Sequence, residues 1–152
     1  MIKEAEDSLR RGSESLALLE RQNLKHPEIL TSAQQAVECF ARALYALLEL
    51  DFRFSHEALL AVSKEEGKAL LQEELQTIAE VEVPALFPYA DWMPKIAFLA
   101  FSWSSYREQV EAASQHLGKP VSAFFGREEA RAALEQARLC HKAAKSLLEL
   151  KR

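Results

Sequence analysis

Three polar side chains with the capacity for chemistry lie close together in the chain, at positions 35, 38 and 42. Gln35 supplies an amide, Glu38 a carboxylate and Arg42 a guanidinium group. Glu38 precedes Arg42 by four residues, which is the favoured orientation for an ion pair along one helix. An exposed pair of this kind contributes only a few tenths of a kcal/mol. The three residues therefore lie either on a solvated helix face or in a polar pocket or interface, and the sequence leaves both interpretations open.

His56 is the next residue with acid–base chemistry. It follows Ser55, whose hydroxyl favours the start of a helix because it can accept hydrogen bonds from the backbone of the next turn. The positive end of a helix disfavours a charged imidazole. We therefore expect a neutral His56 ring near pH 7, either in a capping and packing role or facing a ligand.

A second polar run, Ser-Trp-Ser-Ser-Tyr-Arg at residues 102–107, interrupts an apolar helical pattern. Tyr106 and Arg107 together could stack on a nucleotide and pair with its charge. Tyrosine and arginine are also enriched in subunit interfaces. Nucleotide contact, an interface and ordinary packing all remain open for these two residues.

Helices must position these groups, because apolar residues recur at three- and four-residue spacing through most of the 152 residues. The pattern predicts five helices, at about residues 2–20, 27–50, 57–81 with a break at Gly67, 94–117 and 127–150. Residues 83–95 hold three prolines together with Phe87, Tyr89 and Trp92. We interpret them as an irregular segment whose rings close the end of the bundle or face a partner. The expected fold is one all-α domain over residues 1–152, an antiparallel up-and-down bundle of about five helices.

Composition narrows the function classes. The formal net charge of −4 gives no strong nucleic-acid signal. No apolar stretch is long enough to span a bilayer, and no apolar signal core opens the chain, so we expect a cytoplasmic protein with no membrane partner. The two cysteines, Cys39 and Cys140, fit buried thiols in a reducing compartment. Phosphate-binding loops, paired aspartates and His-Glu-x-x-His motifs are absent, so we predict no metal and no cofactor.

The order of motifs from the second helix onward resembles the HEPN domain family. Residues 35–38 read Gln-Ala-Val-Glu, residues 42–44 read Arg-Ala-Leu, and residues 55–56 read Ser-His. The family has a basic residue, commonly lysine, before Ala-Leu, and a helix that opens on Thr/Ser-His. Residues 127–137 also resemble the closing helix of the family. The resemblance covers about two-thirds of the chain, and the stretch at 67–95 is longer than the family would lead us to expect.

HEPN domains are small helical bundles found beside, or fused to, minimal nucleotidyltransferases. The resemblance implies a homodimer that acts with a separate minimal nucleotidyltransferase, in a setting of the toxin–antitoxin kind, with a nucleotide as an expected ligand. The ligand or interface residues that it implies lie either at the motif positions or in the polar run at residues 102–107. They are Gln35, Glu38, Arg42, His56, Tyr106 and Arg107. The leading interpretation is therefore a non-catalytic module.

Many HEPN proteins are instead metal-independent RNases that carry Arg-x4–6-His late in the domain and pair it across a dimer. In such chemistry the histidine acts as acid or base, and the arginine stabilises phosphoryl charge. Arg21 and His26 fit this spacing but lie in the first loop. The late pairs do not fit, since eight residues separate Arg107 from His116. An RNase with a composite dimer site that uses Arg21 and His26 is one alternative, and a helical scaffold protein without a ligand is another.

Overall fold

The computed structural model describes residues 1–21 and 26–152, and of His26 only the backbone. The described residues form six α-helices and no β-strand, which confirms the prediction of a helical bundle. Their bounds are α1 (Ile2–Leu19), α2 (His26–Leu47), α3 (His56–Leu60), α4 (Lys64–Glu80), α5 (Met93–Leu117) and α6 (Arg127–Lys151). Short 3₁₀ turns at Ala90–Trp92 and Val121–Ala123 precede α5 and α6.

Helix α2 is the centre of the bundle and packs against α1, α5 and α6. Its alanines and leucines combine high helix propensity with burial on most of its circumference. Gly12 allows α1 to approach closely, because a Cβ atom there would lie 2.6 Å from the ring of Phe40 on α2. Helix α4 packs on α5 at one side of this core.

Helix α2 ends at Leu47 and not near Leu50 as the sequence predicted. Glu49 takes a left-handed backbone conformation with φ of 59°. The amide of Leu50 then donates to the carbonyl of Tyr45 at 2.9 Å, and the amide of Glu49 donates to that of Ala46 at 3.2 Å. This pair of bonds satisfies the last carbonyls of the helix, in the manner usually associated with glycine.

The predicted helix at 57–81 is in fact two helices, and the predicted break at Gly67 is wrong. The chain breaks after Leu60, and Ser63 starts α4 because its hydroxyl accepts a hydrogen bond from the amide of Glu66 at 3.1 Å. Gly67 lies inside α4, where its missing side chain leaves space beside the ring of Phe101. Ser55 caps α3 as predicted, since its hydroxyl accepts from the amide of Ala58.

The segment at 83–95 is irregular up to the 3₁₀ turn at Ala90–Trp92, and its rings are divided between core and surface. Phe87 is buried in the core, and its amide donates to the carbonyl of Pro84. Trp92 is partly exposed, with the Nζ atom of Lys95 at 4.5 Å from its ring centre. Of the two alternatives left open for this segment, burial favours the packing role for Phe87, and exposure leaves the partner-facing role open for Trp92.

The cysteines are only partly as expected. Cys140 is fully buried, and burial raises the pKa of its thiol to about 12. Cys39 is half-buried, and burial together with Glu38 raises the pKa of its thiol. Raised pKa values keep both thiols protonated near pH 7, which makes them poor nucleophiles.

Candidate functional site

A polar cluster joins α2, the start of α3 and α5. Four of the residues proposed from the sequence lie in it, and two that were not proposed complete it. Its members, which we call the polar cluster, are Gln34, Glu38, Arg42, His56, Ser104 and Arg107. Residues 34, 38 and 42 share one face of α2 because they are spaced by four. That face meets the N-terminus of α3 and the middle of α5.

The carboxylate of Glu38 is the centre of the polar cluster. Its Oε1 atom accepts from the backbone amide of His56 at 2.6 Å and from Nε2 of Gln34 at 3.0 Å. Its Oε2 atom accepts from Nη2 of Arg42 at 3.2 Å. A carboxylate at the first amide of a helix also compensates the positive end of that helix. Glu38 therefore fixes α3 against α2 and pairs with Arg42 at the same time.

Gln34 connects α2 to α5. Its amide is 1% exposed, and both ends of it are used, because Oε1 accepts from Nη1 of Arg107 at 2.7 Å while Nε2 donates to Glu38. Arg107 also donates from Nε to Glu111 at 2.9 Å. A buried amide that is satisfied at both ends avoids the desolvation penalty of an unpaired polar group.

Gln35 was a candidate for the same polar group, but it does not belong to this cluster, and for this residue the solvated helix face is the alternative that applies. Gln35 is exposed, and the neighbouring Gln34 takes the buried position. One residue along a helix is a rotation of about 100°, so only one of the two adjacent glutamines can face α5.

His56 belongs to the polar cluster through its ring as well as its backbone. The Nδ1 atom lies 2.7 Å from Oγ of the buried Ser104, and the two share a hydrogen bond. Burial, and then the positive charge of Arg107, lower the pKa of His56 from its ordinary value of 6.5. The lowered pKa agrees with the neutral ring expected near pH 7, but its causes are burial and Arg107 and not the helix end.

Arg42 forms the outer end of the polar cluster. Its side chain is partly exposed and its guanidinium carbon lies 5.1 Å from the ring centre of Phe52. Stacking of this kind holds an arginine in place while leaving one side of it open to solvent. Arg42 is thus the member of the cluster that is best placed to meet a second molecule.

Tyr106 does not belong to the cluster. Its hydroxyl donates to the carbonyl of Phe124 at 2.8 Å, and its ring packs edge-on against Trp103 with centres 5.5 Å apart. Burial raises the pKa of its phenol. Tyr106 and Arg107 are adjacent in sequence, but Tyr106 bonds to Phe124 while Arg107 bonds to Gln34 on α2, so of the three alternatives left open for this pair, packing within the chain is the one that these contacts favour.

Tyr106 instead lines an apolar groove between α5 and α6, which we call the α5–α6 groove. The groove has a volume of about 380 Å³ and includes Phe98, Leu99, Trp103 and Ala132. Phe98 is 48% exposed although it is a large apolar side chain. Trp103 donates from Nε1 to Oε1 of Gln136 at 2.7 Å, which fixes the groove floor.

The Arg21–His26 pair lies only partly within the described residues. Arg21 is exposed just after α1, and its amide donates to the carbonyl of Leu18 at 3.2 Å. His26 begins α2, but its side chain and residues 22–25 lie outside the described part of the chain. The use of Arg21 and His26 as an RNase site therefore stays a prediction.

Sequence reasoning missed a second buried polar group, at the contact between α2 and α4. The carboxylate of Glu74 is 5% exposed, accepts from the hydroxyl of Tyr45 at 3.0 Å and pairs with Arg53 through Nε at 2.9 Å. Burial, followed by Glu74, raises the pKa of Tyr45. The only available signal was a tyrosine on the apolar face of α2 and an acidic residue within α4. This group attaches α4 to the bundle.

Within residues 1–21 and 26–152, no group of three or more histidine, cysteine, aspartate or glutamate side chains converges as metal ligands would. Among the same residues, no helix has both the length and the apolar character needed to cross a membrane.

Comparisons of the chain with protein-family models, with curated proteins and with solved structures found no match.

Proposed function

We propose that this chain is a non-catalytic HEPN-type helical module, an up-and-down bundle that forms a homodimer and acts with a separate minimal nucleotidyltransferase. The observation that carries the proposal is the polar cluster. It contains Glu38, Arg42 and His56 from the motifs on which the resemblance depends, and it uses them to hold α2, α3 and α5 together. A nucleotide is the small ligand that we expect for such a module.

The internal bonding of the cluster supports a non-catalytic role. A general acid or base needs a free site within hydrogen-bond reach of the reacting proton. Both oxygens of Glu38 and both ends of the Gln34 amide are already bonded within the chain. Breaking such bonds at each turnover would leave buried polar groups unpaired, which is costly.

The α5–α6 groove supports the homodimer. Phe98 exposes apolar surface beside Trp103 and Tyr106, and aromatic residues are enriched in the buried centres of subunit interfaces. A two-fold dimer brings the same surface of each copy together, so one apolar groove on each chain is sufficient.

Light scattering tests the dimer with Phe98→Glu. We expect the unaltered chain to have the mass of two copies and the variant to have the mass of one, because a carboxylate at the centre of an apolar interface is costly to desolvate. Leu86→Glu is the matched control, since Leu86 is 82% exposed and lies outside the α5–α6 groove. A monomeric unaltered chain, or dissociation by both variants, would contradict this interface.

Partnership with a nucleotidyltransferase has its own test. A neighbouring open reading frame that encodes a Gly-Ser and Asp-x-Asp pattern is expected, and its product should co-purify with this chain when the two are co-expressed. Arg42→Ala should weaken the association, because Arg42 is the exposed end of the polar cluster. The absence of such a neighbour, and of any association, would favour a plain helical scaffold.

One observation favours the RNase alternative in a new form. The His56 ring is hydrogen-bonded to Ser104, which lies about one helical turn before Arg107 on α5, so a base and a phosphoryl-stabilising cation come from different helices to the same region. Incubation of the protein with RNA in EDTA tests for metal-independent cleavage. Loss of cleavage in His56→Gln would place the activity here, and loss in Arg21→Ala and His26→Ala would place it in the first loop. If the unaltered chain does not cleave RNA, both proposed RNase sites are contradicted.

A further inference from the structure

A separate cavity of about 280 Å³ lies between the α3–α4 corner and α5. Its charged rim is formed by Lys64 and Lys68 on α4. Its wall on the α5 side is formed by Phe101, Ser104 and Ser105. The volume is close to the lower end of the range found for sites of small organic ligands. We call it the α4–α5 cavity.

The two lysines are available to a ligand. Both are exposed, and within residues 1–21 and 26–152 no carboxylate pairs with either of them. Glu108 also lines the cavity, so two positive charges face a single negative one among the described lining residues. Lysine ammonium groups bind phosphate and carboxylate groups through charge-assisted hydrogen bonds.

The opposite part of the cavity is apolar and flat. Phe101 is held by an edge-on contact with the buried Phe54, with ring centres 6.0 Å apart. Gly67, which is itself buried, brings the backbone of α4 close to one edge of the ring, because a Cβ atom at that position would lie 3.5 Å from it. A fixed aromatic ring beside an empty space is a surface on which another flat ring can pack.

Serine hydroxyl groups on α5 also line the cavity. Ser104 lines the cavity and shares its hydrogen bond with Nδ1 of His56, so the cavity wall is continuous with the polar cluster. Ser105 accepts from Nε2 of Gln109 at 3.0 Å and keeps its own hydroxyl proton to donate. The lining of the cavity therefore combines cationic, hydroxyl and aromatic groups.

We propose that the α4–α5 cavity binds a small anion with a flat apolar body, the chemistry of a nucleoside monophosphate. Lys64 and Lys68 hold the anionic group, and Phe101 packs against the ring. The proposal rests on the proposed function in its choice of a nucleotide as the ligand, and it moves the site away from the Tyr106 and Arg107 pair. It does not depend on the dimer or on the partner protein.

Titration calorimetry with AMP, adenosine and inorganic phosphate tests the proposal on the full chain. We expect AMP to bind more tightly than either of the other two, because only AMP fills both parts of the cavity. The double variant Lys64→Gln/Lys68→Gln should weaken AMP binding roughly tenfold or more, since hydrogen bonds to charged groups are the stronger ones. Adenosine binding should change little in the same variant.

The control variant is Lys142→Gln, which removes a positive charge from the exposed face of α6 outside this cavity. AMP binding that survives the double variant would overturn this site while leaving nucleotide binding in place. If the double variant and the control lose the same amount of AMP affinity, the loss follows from net charge and not from contact with Lys64 and Lys68, which would also overturn the site. Absence of any AMP binding would overturn the proposal, whereas the dimer is decided separately by light scattering.

Discussion

Glu38 shows how one side chain can organise three helices. Its position on α2 was visible in the sequence, and so was its ion pair with Arg42. Its hydrogen bond to the backbone of His56 was not visible, because that contact depends on where the chain returns 18 residues later. The same limit explains the choice of Gln35 over Gln34, since a single sequence does not reveal which glutamine faces α5.

Glu38→Gln should lower the free energy of unfolding by about 1–3 kcal/mol, because it removes the charge that Arg42 and the first amide of α3 use. Urea denaturation measures the change. Glu135→Gln on α6 is the matched control, since Glu135 is exposed, and it should have an effect within about 0.5 kcal/mol. A loss of similar size in both variants would contradict the central role of Glu38.

The lowered pKa of His56 predicts that the stability of the fold depends on pH. The unfolded chain takes up a proton as the pH falls through 6.5, whereas the folded chain does so only at a lower pH. The contribution of His56 to stability is therefore complete above pH 6.5 and is lost progressively as the pH falls below that value. Unfolding curves between pH 7.5 and pH 5 should be less pH-dependent in His56→Gln than in the unaltered chain.

His141 must be considered in that experiment, because burial also lowers its pKa and part of the pH dependence will persist. His116→Gln provides the control, since His116 is exposed near the end of α5. If His116→Gln and His56→Gln change the pH dependence by the same amount, the buried environment of His56 is not the cause.

At the scale of elements, the predictions that succeeded and those that failed have physical reasons. Regular apolar spacing located α1, α5 and α6 to within a few residues, because apolar residues three and four apart mark the buried face of a helix. The C-terminal end of α2 and the break between α3 and α4 were misplaced. Glycine is the usual helix breaker, yet here Ser63 starts α4 and Gly67 lies inside it, while Glu49 ends α2 with a left-handed backbone.

The two helical glycines should respond to alanine in opposite directions. Gly67→Ala should raise the free energy of unfolding by up to about 1 kcal/mol, because alanine favours helices and its Cβ would meet Phe101 at an ordinary 3.5 Å. Gly12→Ala should lower it by about 1–3 kcal/mol, because its Cβ would meet the Phe40 ring at 2.6 Å. Thermal unfolding of both variants measures the contrast, and a shift of the same sign in both would contradict the described α1–α2 contact.

At the scale of the whole molecule, burial is distributed unevenly. Helix α2 is buried on most of its circumference, whereas α3 has no buried residue and α4 has only Gly67, Glu74 and Ile78. The sequence predicted the helical core but not this division, because it depends on which helices surround α2. Segments with few buried contacts open at a lower free energy than the core.

Hydrogen exchange should therefore show lower protection for α3 and α4 than for α2 and α6. Arg53→Ala should lower the protection of α4 further while leaving α6 nearly unchanged, because Arg53 is an ion-pair partner of the buried Glu74. Arg138→Ala is a suitable comparison, since its ion pair with Glu20 is largely exposed. Uniform protection across all helices would show that α4 is part of the same cooperative unit as α2.

The polar cluster and its extension to Glu111 also have a consequence for how the fold responds to salt. From α5 to α2 the groups alternate as anion, cation, neutral amide, anion and cation: Glu111, Arg107, Gln34, Glu38 and Arg42. The charges of these five hydrogen-bonded groups sum to zero. Gln34 lies between the two ion pairs, so no two groups of like charge are bonded neighbours. Added electrolyte screens exposed pairs such as Arg10 and Glu14 first. The bonds around the buried Gln34 and the largely buried Glu38 should persist at ionic strengths that screen the exposed pairs, so α2, α3 and α5 should stay packed together in both dilute and concentrated buffer.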